Sequence, residues 1–342
     1  MTAPVPSAPP VRFGIIGVGV IGRQHVARLL SDASPAVLVA LADANAEAAA
    51  AIAAENGVEA ATSVEELLAR PDIDAVVIAV PSGLHADVTI AALEAGKHVF
   101  LEKPIEITVE ASDRIREAEQ RSGRILSIAS QRRFAPENQF LKRIVSEGML
   151  GRLTSATVEV PLWRSQEYYD SGAWRGTWKL DGGGALMNQG VHLVDLTLWL
   201  LGEVEELFAY TGLLAHERIE VEDTVTATAR LASGAQLTFQ ATTAAFGDLP
   251  IRMSLMGDAG SIVTESERVV HFHARDGWEL PEFEAVDIML EQHLDFVRAV
   301  ETGGSPLVSS AEARAAVAFI EAVYASGRTG KPVRPASLPA GD

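Results

Sequence analysis

The chain has 342 residues, a length that favours two domains over a single core. It carries 46 acidic and 28 basic residues, and the resulting net charge of −18 argues against nucleic acid or an anionic membrane as its main partner. It has no cysteine, which excludes disulfide bonds and thiolate chemistry.

The N-terminal sequence MTAPVPSAPP predicts a disordered tail over residues 1–10. It lacks the basic segment and the apolar core of a signal peptide. No apolar stretch of the sequence is long enough to cross a bilayer. We therefore expect a cytoplasmic protein with no membrane partner.

The first third of the chain alternates short apolar runs with helical patterns. Strands are predicted at residues 11–16, 36–41, 75–80, 99–101 and 125–129. Helices are predicted between them, at residues 21–30, 44–56, 64–69, 84–95 and 110–121. Strands that are apolar on both faces and alternate with helices indicate a parallel sheet covered on both sides. We therefore predict an α/β fold with a doubly wound, NAD-binding Rossmann domain over residues 11–130.

The rest of the chain, residues 131–342, has longer strand patterns. They cover residues 154–160, 205–214, 223–232, 236–243, 252–256 and 261–264. Turn signals at Ser233-Gly234 and at residues 257–260 join two pairs of them as hairpins. Helices are predicted at residues 185–201, 286–301 and 311–326. This pattern predicts an α+β domain with a mostly antiparallel sheet and a C-terminal helix that can pack back on the first domain.

A glycine-rich turn, GVGVIG, follows the first predicted strand and opens the first helix. Gly17 permits the tight turn, Gly19 lets the backbone approach a pyrophosphate, and Gly22 lets the helix pack close to the sheet. The helix N-terminus, at Val20 and Ile21, offers free N–H groups to the phosphates. The turn therefore predicts a dinucleotide site.

Asp43 ends the second predicted strand, which is where a ribose would lie. A carboxylate there accepts hydrogen bonds from both ribose hydroxyls and repels a 2′-phosphate. No arginine or lysine follows closely, so NAD is predicted in preference to NADP. The alternative is a set of turn glycines with a surface aspartate.

Two further strand ends carry polar residues. Ligands of open α/β sheets bind beyond the carboxyl ends of the strands. The candidate cofactor contacts at these two ends are Val80, Pro81, Ser82, His85, Glu102 and Lys103. The alternative for Glu102-Lys103 is a solvated ion pair at the start of a loop.

Three glycines, residues 182–184, precede the predicted helix 185–201. Asn188 and His192 are four residues apart, which places them on one face of an α-helix. Asp195 can share that face or orient the imidazole. A lone helical histidine is usually structural, but an Asn/His pair on an otherwise apolar helix is a candidate catalytic pair.

An aromatic and cationic segment precedes these glycines. It contains Trp163, Arg164, Tyr168, Tyr169, Trp174, Arg175 and Trp178. Aromatic faces and guanidinium forks suit a polyhydroxylated ring, which stacks through its C–H face and hydrogen-bonds through its hydroxyls. The alternative is a contact between domains or subunits.

His271 and His273 alternate along a further candidate strand. No cluster of carboxylates accompanies them in the sequence. We therefore interpret them as surface residues of a strand and predict no metal site.

Taken together, these motifs resemble the Gfo/Idh/MocA oxidoreductases, a family that includes inositol and sugar dehydrogenases. The resemblance rests on the glycine turn, Pro81-Ser82 with His85, Glu102-Lys103-Pro104 and the GGG-x-L-x-N-Q-G-x-H-x-x-D stretch, and it covers nearly the whole chain. It implies that Lys103 and His192 lie at the reacting carbon.

The family resemblance has two further consequences. It implies that residues 131–342 form a domain for substrate binding and oligomerisation, with an open, mostly antiparallel sheet that often forms the oligomer interface. An exposed apolar sheet face seeks a partner, so we expect a homodimer or homotetramer. Inositol dehydrogenases of this family carry an aspartate four residues before the histidine, whereas this chain has Asn188. A neutral amide cannot stabilise imidazolium as a carboxylate does and can only orient the ring.

The leading hypothesis is an NAD-dependent dehydrogenase that oxidises a secondary hydroxyl of a sugar, cyclitol, sugar acid or glycoside. His192 would be the base and Lys103 would stabilise the oxygen, or Lys103 would itself be the base with its pKa lowered by burial. Glu102 would position Lys103, and Asn188 would bind a neighbouring hydroxyl. Further candidate contacts to substrate or nicotinamide are Arg132, Trp163, Arg164, Trp174, Arg175 and Trp178. The alternatives are a redox-assisted NAD-dependent glycosidase and a non-catalytic NAD-binding regulator.

Overall fold

A computed structural model describes residues 9–275 and 277–339 of the chain. Most of the predicted tail, residues 1–8, lies outside the described residues. Two β-sheets organise the described part of the molecule.

The first sheet has six parallel strands in the order β3-β2-β1-β4-β5-β6. The strands are β1 (Arg12–Ile16), β2 (Val37–Ala42), β3 (Glu59–Ala60), β4 (Ala75–Ile78), β5 (His98–Leu101) and β6 (Leu126–Ile128). This is the doubly wound order, and it confirms the predicted Rossmann sheet. The short strand β3 was not predicted, because both of its residues are exposed and give no apolar signal.

Helices cover both faces of this sheet. They are α1 (Val20–Leu29), α2 (Ala46–Asn56), α3 (Val64–Ala69), α4 (His85–Glu94) and α5 (Val109–Ser122). Their ends follow from local chemistry. Asn45 caps the first turn of α2 through its side chain, and Gly57 ends that helix with a φ of +68°. Because helices lie on both sides, all four residues of β4 are buried.

The second sheet has seven strands in the order β13-β12-β11-β7-β10-β9-β8. They are β7 (Leu153–Pro161), β8 (Val204–Gly212), β9 (Thr224–Leu231), β10 (Gln236–Thr242), β11 (Arg252–Gly257), β12 (Gly260–Glu265) and β13 (Arg268–Ala274). Within this sheet, only the described pair of β7 and β10 is parallel, and the other described pairs are antiparallel. The predicted open, mostly antiparallel sheet is therefore confirmed.

The remaining helices are α6 (Pro136–Ser146), α7 (Gln166–Asp170), α8 (Val191–Leu201), α9 (Ile288–Thr302) and α10 (Ser310–Thr329). α8 and α10 pack against the second sheet and cover one of its faces. Along β10, Leu237 and Phe239 are buried on that side, whereas Gln236, Thr238 and Gln240 are exposed on the other. The outward residues of this strand are polar, so the expectation of an apolar open face is wrong at the centre of the sheet. A homo-oligomer remains a prediction.

The predicted helix 185–201 is not one regular α-helix. Its first part, Ala185–Gly190, is a π-helix, and α8 follows it. Gly184 N and Leu186 N donate hydrogen bonds to the side chain of Glu222, at 2.9 and 2.8 Å, which anchors the start of the π-helix. A spacing of four residues across this junction therefore does not define one helical face, as the sequence had suggested for Asn188 and His192.

The last two helices return to the first sheet. In α9, Gln292 donates to Ile128 O at 2.7 Å, and Phe296 packs against Phe13 and Phe100 with ring centroids 5.9 and 5.6 Å away. In α10, Arg314 forms an ion pair with Asp113 of α5 at 3.0 Å. Among the described helices, none combines the length and the apolarity that a membrane crossing requires.

Candidate active site

The glycine turn between β1 and α1 has the shape that a dinucleotide needs. Gly17 has a φ of +98°, and a Cβ there would lie 2.4 Å from Ala79 O. A Cβ on Gly22 would lie 2.0 Å from Gly17 O, whereas one on Gly19 would meet no described atom within 4 Å. The outer glycines are therefore required by the backbone, and the middle one leaves open space beside the N-terminus of α1. These residues fit a bound pyrophosphate.

Asp43 lies beside this turn at the end of β2. Its Oδ2 accepts a hydrogen bond from Val18 N at 2.8 Å, and its Oδ1 accepts one from Asn45 N at 2.8 Å. The carboxylate is thereby fixed in place and keeps lone pairs that can accept hydrogen bonds from ribose hydroxyls.

His85 joins the ends of β4 and β5. Its Nδ1 lies 2.7 Å from Pro104 O and its Nε2 lies 3.0 Å from Val80 O, and the ring is buried. Burial lowers the pKa of this imidazole. Since both ring nitrogens face backbone oxygens, the ring holds the two strand ends together and has no nitrogen left for a cofactor. Ser82 is also buried, in the turn that follows Pro81.

Glu102 contacts Lys103 through the backbone, and its carboxylate forms no hydrogen bond with the ammonium among the described residues. Its Oε1 lies 2.9 Å from His25 Nε2, and its Oε2 accepts a hydrogen bond from Lys103 N at 3.1 Å. His25 Nδ1 in turn lies 2.9 Å from His293 Nε2. Consecutive residues of an extended chain point to opposite sides, so Glu102 faces α1 and α9 while Lys103 faces the second domain.

Lys103 reaches the π-helix of the second domain. Its Nζ donates a hydrogen bond to the backbone oxygen of Asn188 at 2.7 Å. Burial lowers the pKa of the ammonium, the charges of Arg175 and Arg164 lower it further, and the carboxylates of Glu102 and Asp181 oppose these effects.

Asp181 is a site residue to which the sequence assigned no role. Its Oδ1 accepts a hydrogen bond from Asn188 Nδ2 at 2.6 Å, and its Oδ2 accepts one from Gly176 N at 2.8 Å. Burial raises the pKa of this carboxyl, and hydrogen bonds from Gly176 and Asn188 oppose the increase. Its position directly before the three glycines was the only sequence feature that could have pointed to Asp181 as a site residue. Asp181 places a carboxylate near Lys103 that position 188 lacks.

His192 lies with Lys103 along the same small cavity. Among the described residues, none makes a hydrogen bond to its ring. Burial lowers the imidazole pKa well below its usual value, and the charges of Lys103 and Arg132 lower it further. His192 is therefore neutral near pH 7 and has a ring nitrogen that can accept a proton.

Asp195 does not orient this ring, so that interpretation is wrong. Its two oxygens accept hydrogen bonds from Arg133 Nη2 and Nε, at 2.6 and 2.9 Å, and Ser130 Oγ also donates to it. Although Asp195 is only three residues beyond His192, its side chain belongs to a separate buried hydrogen-bond network.

The cationic residues of the aromatic segment connect to Asn188. Gln189 Nε2 donates to Asn188 Oδ1 at 3.0 Å, and Gln189 Oε1 accepts from Arg164 Nη2 at 2.9 Å. Gln189 Nε2 also lies 3.1 Å from Tyr168 Oη, which accepts a hydrogen bond from Arg175 Nη1 at 2.6 Å. Gln189 and Tyr168 thus connect the predicted residues. Tyr168 belongs to the predicted aromatic segment, whereas Gln189 was given no role from the sequence.

The other candidate contacts lie in different surroundings. Trp163 packs edge-on against Phe246, with ring centroids 5.0 Å apart, and Trp174 packs under the guanidinium of Arg175. Arg132 forms an ion pair with Glu267 at 2.6 Å.

Trp178 is 44% exposed and packs edge-on against Tyr324, with ring centroids 5.3 Å apart. His271 and His273 are exposed on β13. Within residues 9–275 and 277–339, no three histidine or carboxylate side chains are grouped to hold a metal ion.

Comparison with known proteins identifies the family. A model described as an oxidoreductase family with an NAD-binding Rossmann fold matches residues 11–130, and a GFO/IDH/MocA C-terminal domain model matches residues 138–263. Inositol 2-dehydrogenase 4 of Saccharopolyspora erythraea is 30% identical over 94% of this chain and 94% of its own. Inositol 2-dehydrogenase of Rhizobium meliloti is 28% identical over 92% of this chain and 96% of its own.

A solved structure agrees with these matches. The WlbA dehydrogenase of Bordetella pertussis, in complex with NADH and UDP-GlcNAcA, is 33% identical and superimposes with a TM-score of 0.87 over 96% of this chain and 99% of its own. The resemblance inferred from the sequence motifs is thus confirmed. The chain belongs to the Gfo/Idh/MocA family of oxidoreductases with an NAD-binding Rossmann domain.

Proposed function

We propose that this protein is an NAD-dependent dehydrogenase that oxidises a secondary hydroxyl of a sugar or cyclitol to a ketone. The observation that carries the proposal is the cavity lined by both Lys103 and His192, next to the carboxyl ends of the first sheet. The inositol dehydrogenases among its relatives support a polyhydroxylated substrate.

Gly17, Gly19, Gly22 and the N-terminus of α1 would hold the pyrophosphate of the cofactor, and Asp43 would bind its ribose. When bound, NAD supplies the hydride acceptor. The fixed carboxylate of Asp43 supports NAD over NADP, because a 2′-phosphate at that position would meet a negative charge.

The proton of the substrate hydroxyl goes to a ring nitrogen of His192. The imidazole is suited to this role because it is neutral and has no hydrogen bond to any described residue. Lys103 keeps N–H donors beyond the one bound to Asn188 O, and these stabilise the negative charge that develops on the oxygen.

Asn188 positions Lys103 rather than the substrate. Its backbone oxygen accepts from the ammonium, while its side-chain amide is bound by Asp181 and Gln189. This arrangement replaces the expectation that the amide binds a substrate hydroxyl.

The proposal is tested by measuring NADH formation with a panel of inositols and sugars, using NAD and NADP in parallel. We expect Lys103→Ala and His192→Ala each to lower kcat by about 100-fold or more, since each removes a group that acts on the reacting oxygen. NADH affinity, measured by fluorescence titration, should persist in both variants.

The matched controls are Lys331→Ala and His271→Ala, which change exposed residues outside the site. Turnover near the wild-type value in Lys103→Ala or His192→Ala would remove that residue from the mechanism. A preference for NADP would contradict the role of Asp43.

A further inference from the structure

Two arginines beside the candidate active site lack an ion-pair partner among the described residues. Of the described arginines, nine are buried or half-buried. Those in ion pairs are Arg12, Arg28, Arg70, Arg116, Arg132, Arg133 and Arg314. Arg164 and Arg175 are the other two, and neither forms an ion pair with any described residue. In a chain with 46 acidic residues, this absence does not reflect a shortage of carboxylates.

The two guanidinium groups lie against one aromatic ring. The Cζ atoms of Arg175 and Arg164 lie 4.3 and 5.3 Å from the centroid of Tyr168. Like charges that share a half-buried surface repel each other, and the repulsion is screened less there than in water. A bound anion would turn this repulsion into attraction.

Most of their hydrogen-bonding capacity is unused. A guanidinium has five N–H donors in a planar fork. The guanidinium of Arg164 donates to Trp163 O and Gln189 Oε1, and the guanidinium of Arg175 donates only to Tyr168 Oη within the described chain. Free forks of this kind match the paired oxygens of a carboxylate or a phosphate.

The arginine pair is connected to the reacting end of the site. Lys103 binds the backbone oxygen of Asn188, and the next residue, Gln189, binds Arg164. Asp181 is a nearby carboxylate, but its oxygens accept from Gly176 and Asn188 and form no ion pair with a described arginine. The three cations therefore outnumber the two carboxylates near Lys103, which are Asp181 and Glu102, and neutral sugar hydroxyls would leave the excess positive charge unbalanced.

We propose that Arg164 and Arg175 bind an anionic group of the substrate, a carboxylate or a phosphate, so that the enzyme acts on an anionic sugar. This inference rests on the proposed dehydrogenase function and narrows its substrate class. Arg164 and Arg175 bind the anion through their free N–H groups, and Lys103 and His192 act on a hydroxyl of the same molecule.

The test compares matched sugars. Binding of D-glucose, D-glucuronate and D-glucose 6-phosphate, and of the three corresponding galactose compounds, is measured by calorimetry in the presence of NADH. We expect an anionic member to bind at least about 10-fold more tightly than its neutral counterpart, and Arg164→Gln/Arg175→Gln to weaken its binding roughly 10- to 100-fold. The advantage of the anionic member should shrink at high salt. Preference for the uronate or for the phosphate identifies the anionic group.

Arg298→Gln is the matched control, because Arg298 is exposed on α9 and forms no ion pair in the described chain. Equal binding of neutral and anionic sugars, or binding of none, overturns the proposal. So does a double variant that loses NADH affinity but keeps its selectivity among sugars, because the arginines would then serve the cofactor.

Failure of this inference is distinguishable from failure of the dehydrogenase assignment. If neutral sugars are oxidised with NADH formation and the double variant keeps that selectivity, the anion site is wrong and the dehydrogenase stands. If anionic sugars bind through the arginines but none yields NADH, the dehydrogenase assignment is wrong and the anion site stands.

Discussion

Helix α8 carries two charged clusters that differ in how completely they are paired. Around Asp195, the carboxylate meets Arg133 through two hydrogen bonds, and Arg133 meets Glu312 at 2.8 Å. Around His192, three residues earlier, the positive charges of Lys103 and the neighbouring arginines exceed the carboxylates. We call the first the closed cluster and the second the open cluster.

The difference separates a structural use of buried charge from a functional one. A buried charge that loses its partner destabilises a fold, so the closed cluster holds its elements together only as a complete set. The open cluster contains more cations than carboxylates, so the cost of desolvating these cations is not fully compensated within the described chain. This cost lowers the stability of the fold, and it leaves the cations able to bind an anionic ligand.

Breaking the closed cluster should have the largest effect on stability. Arg133→Met leaves Asp195 buried without its two hydrogen bonds, and we expect the free energy of unfolding to fall by about 3–5 kcal/mol. Urea denaturation followed by circular dichroism measures it.

A double variant sharpens this test. Arg133→Met/Asp195→Leu removes both charges and should recover much of the loss. Arg143→Met, at an exposed arginine of α6, is the control and should change stability by less than about 0.5 kcal/mol. A loss under about 1 kcal/mol in the single variant would contradict the distinction between the clusters.

Glu222 should have an intermediate effect that depends on pH. It has hydrogen-bond donors, Gly184 N, Leu186 N and Tyr324 Oη, but no ion-pair partner in the described chain, and burial raises its pKa to about 7. A raised folded-state pKa stabilises the fold below the unfolded-state value, and this contribution is lost as pH rises through 7.

Between pH 4.5 and pH 8 the wild type should therefore lose about 3 kcal/mol relative to Glu222→Gln, which cannot ionise. Thermal unfolding of both proteins across this range measures the difference. If the stabilities of the wild type and Glu222→Gln changed in parallel with pH, ionisation of Glu222 would not destabilise the fold. Glu222 would then behave like a paired charge of the closed cluster.

Removing a cation from the open cluster should have the smallest effect on the free energy of unfolding, and it should raise this free energy rather than lower it. Lys103→Met keeps the length of the side chain and removes a desolvated ammonium, so we expect the free energy of unfolding to rise by about 1 kcal/mol while turnover is lost. Urea denaturation measures this change beside Lys331→Met, an exposed control. A clear loss of stability in Lys103→Met would contradict this expectation and would show that the ammonium of Lys103 stabilises the fold.

The sequence predicted most of the first sheet, because its strands are apolar on both faces and its turns carry glycine. The roles of the three glycines could also be predicted, since they depend on neighbours within a few residues. The strand β3 was missed because it is short and exposed, and the parallel pairing of β7 with β10 was missed because register between distant strands leaves no local pattern.

From the sequence, Lys103 and His192 were named as candidate site residues, but Asp181, Gln189 and most of the hydrogen bonds that connect them were not. Lys103 and His192 line one cavity, whereas Glu102 turned out to face His25, and Asp195 turned out to face Arg133. These partners are 62 or more residues apart in sequence, so only the tertiary fold selects them. The π-helix before α8 depends on hydrogen bonds that Gly184 N and Leu186 N donate to Glu222, which lies 38 and 36 residues further along the chain.

The return of α9 to the first sheet bears on how the protein is made. Phe13 and Phe100 share their core with Phe296, and Ser130 N donates its hydrogen bond to Gln292 Oε1 at 2.9 Å. During synthesis the first sheet leaves the ribosome long before α9. Until α9 is made, Phe13 and Phe100 lack their contact with Phe296. Domains usually fold as they are synthesised, but this one can bury its full core only after α9, Ile288–Thr302, has been synthesised. Its early intermediates are therefore the stage at which chaperones would have the most apolar surface to bind.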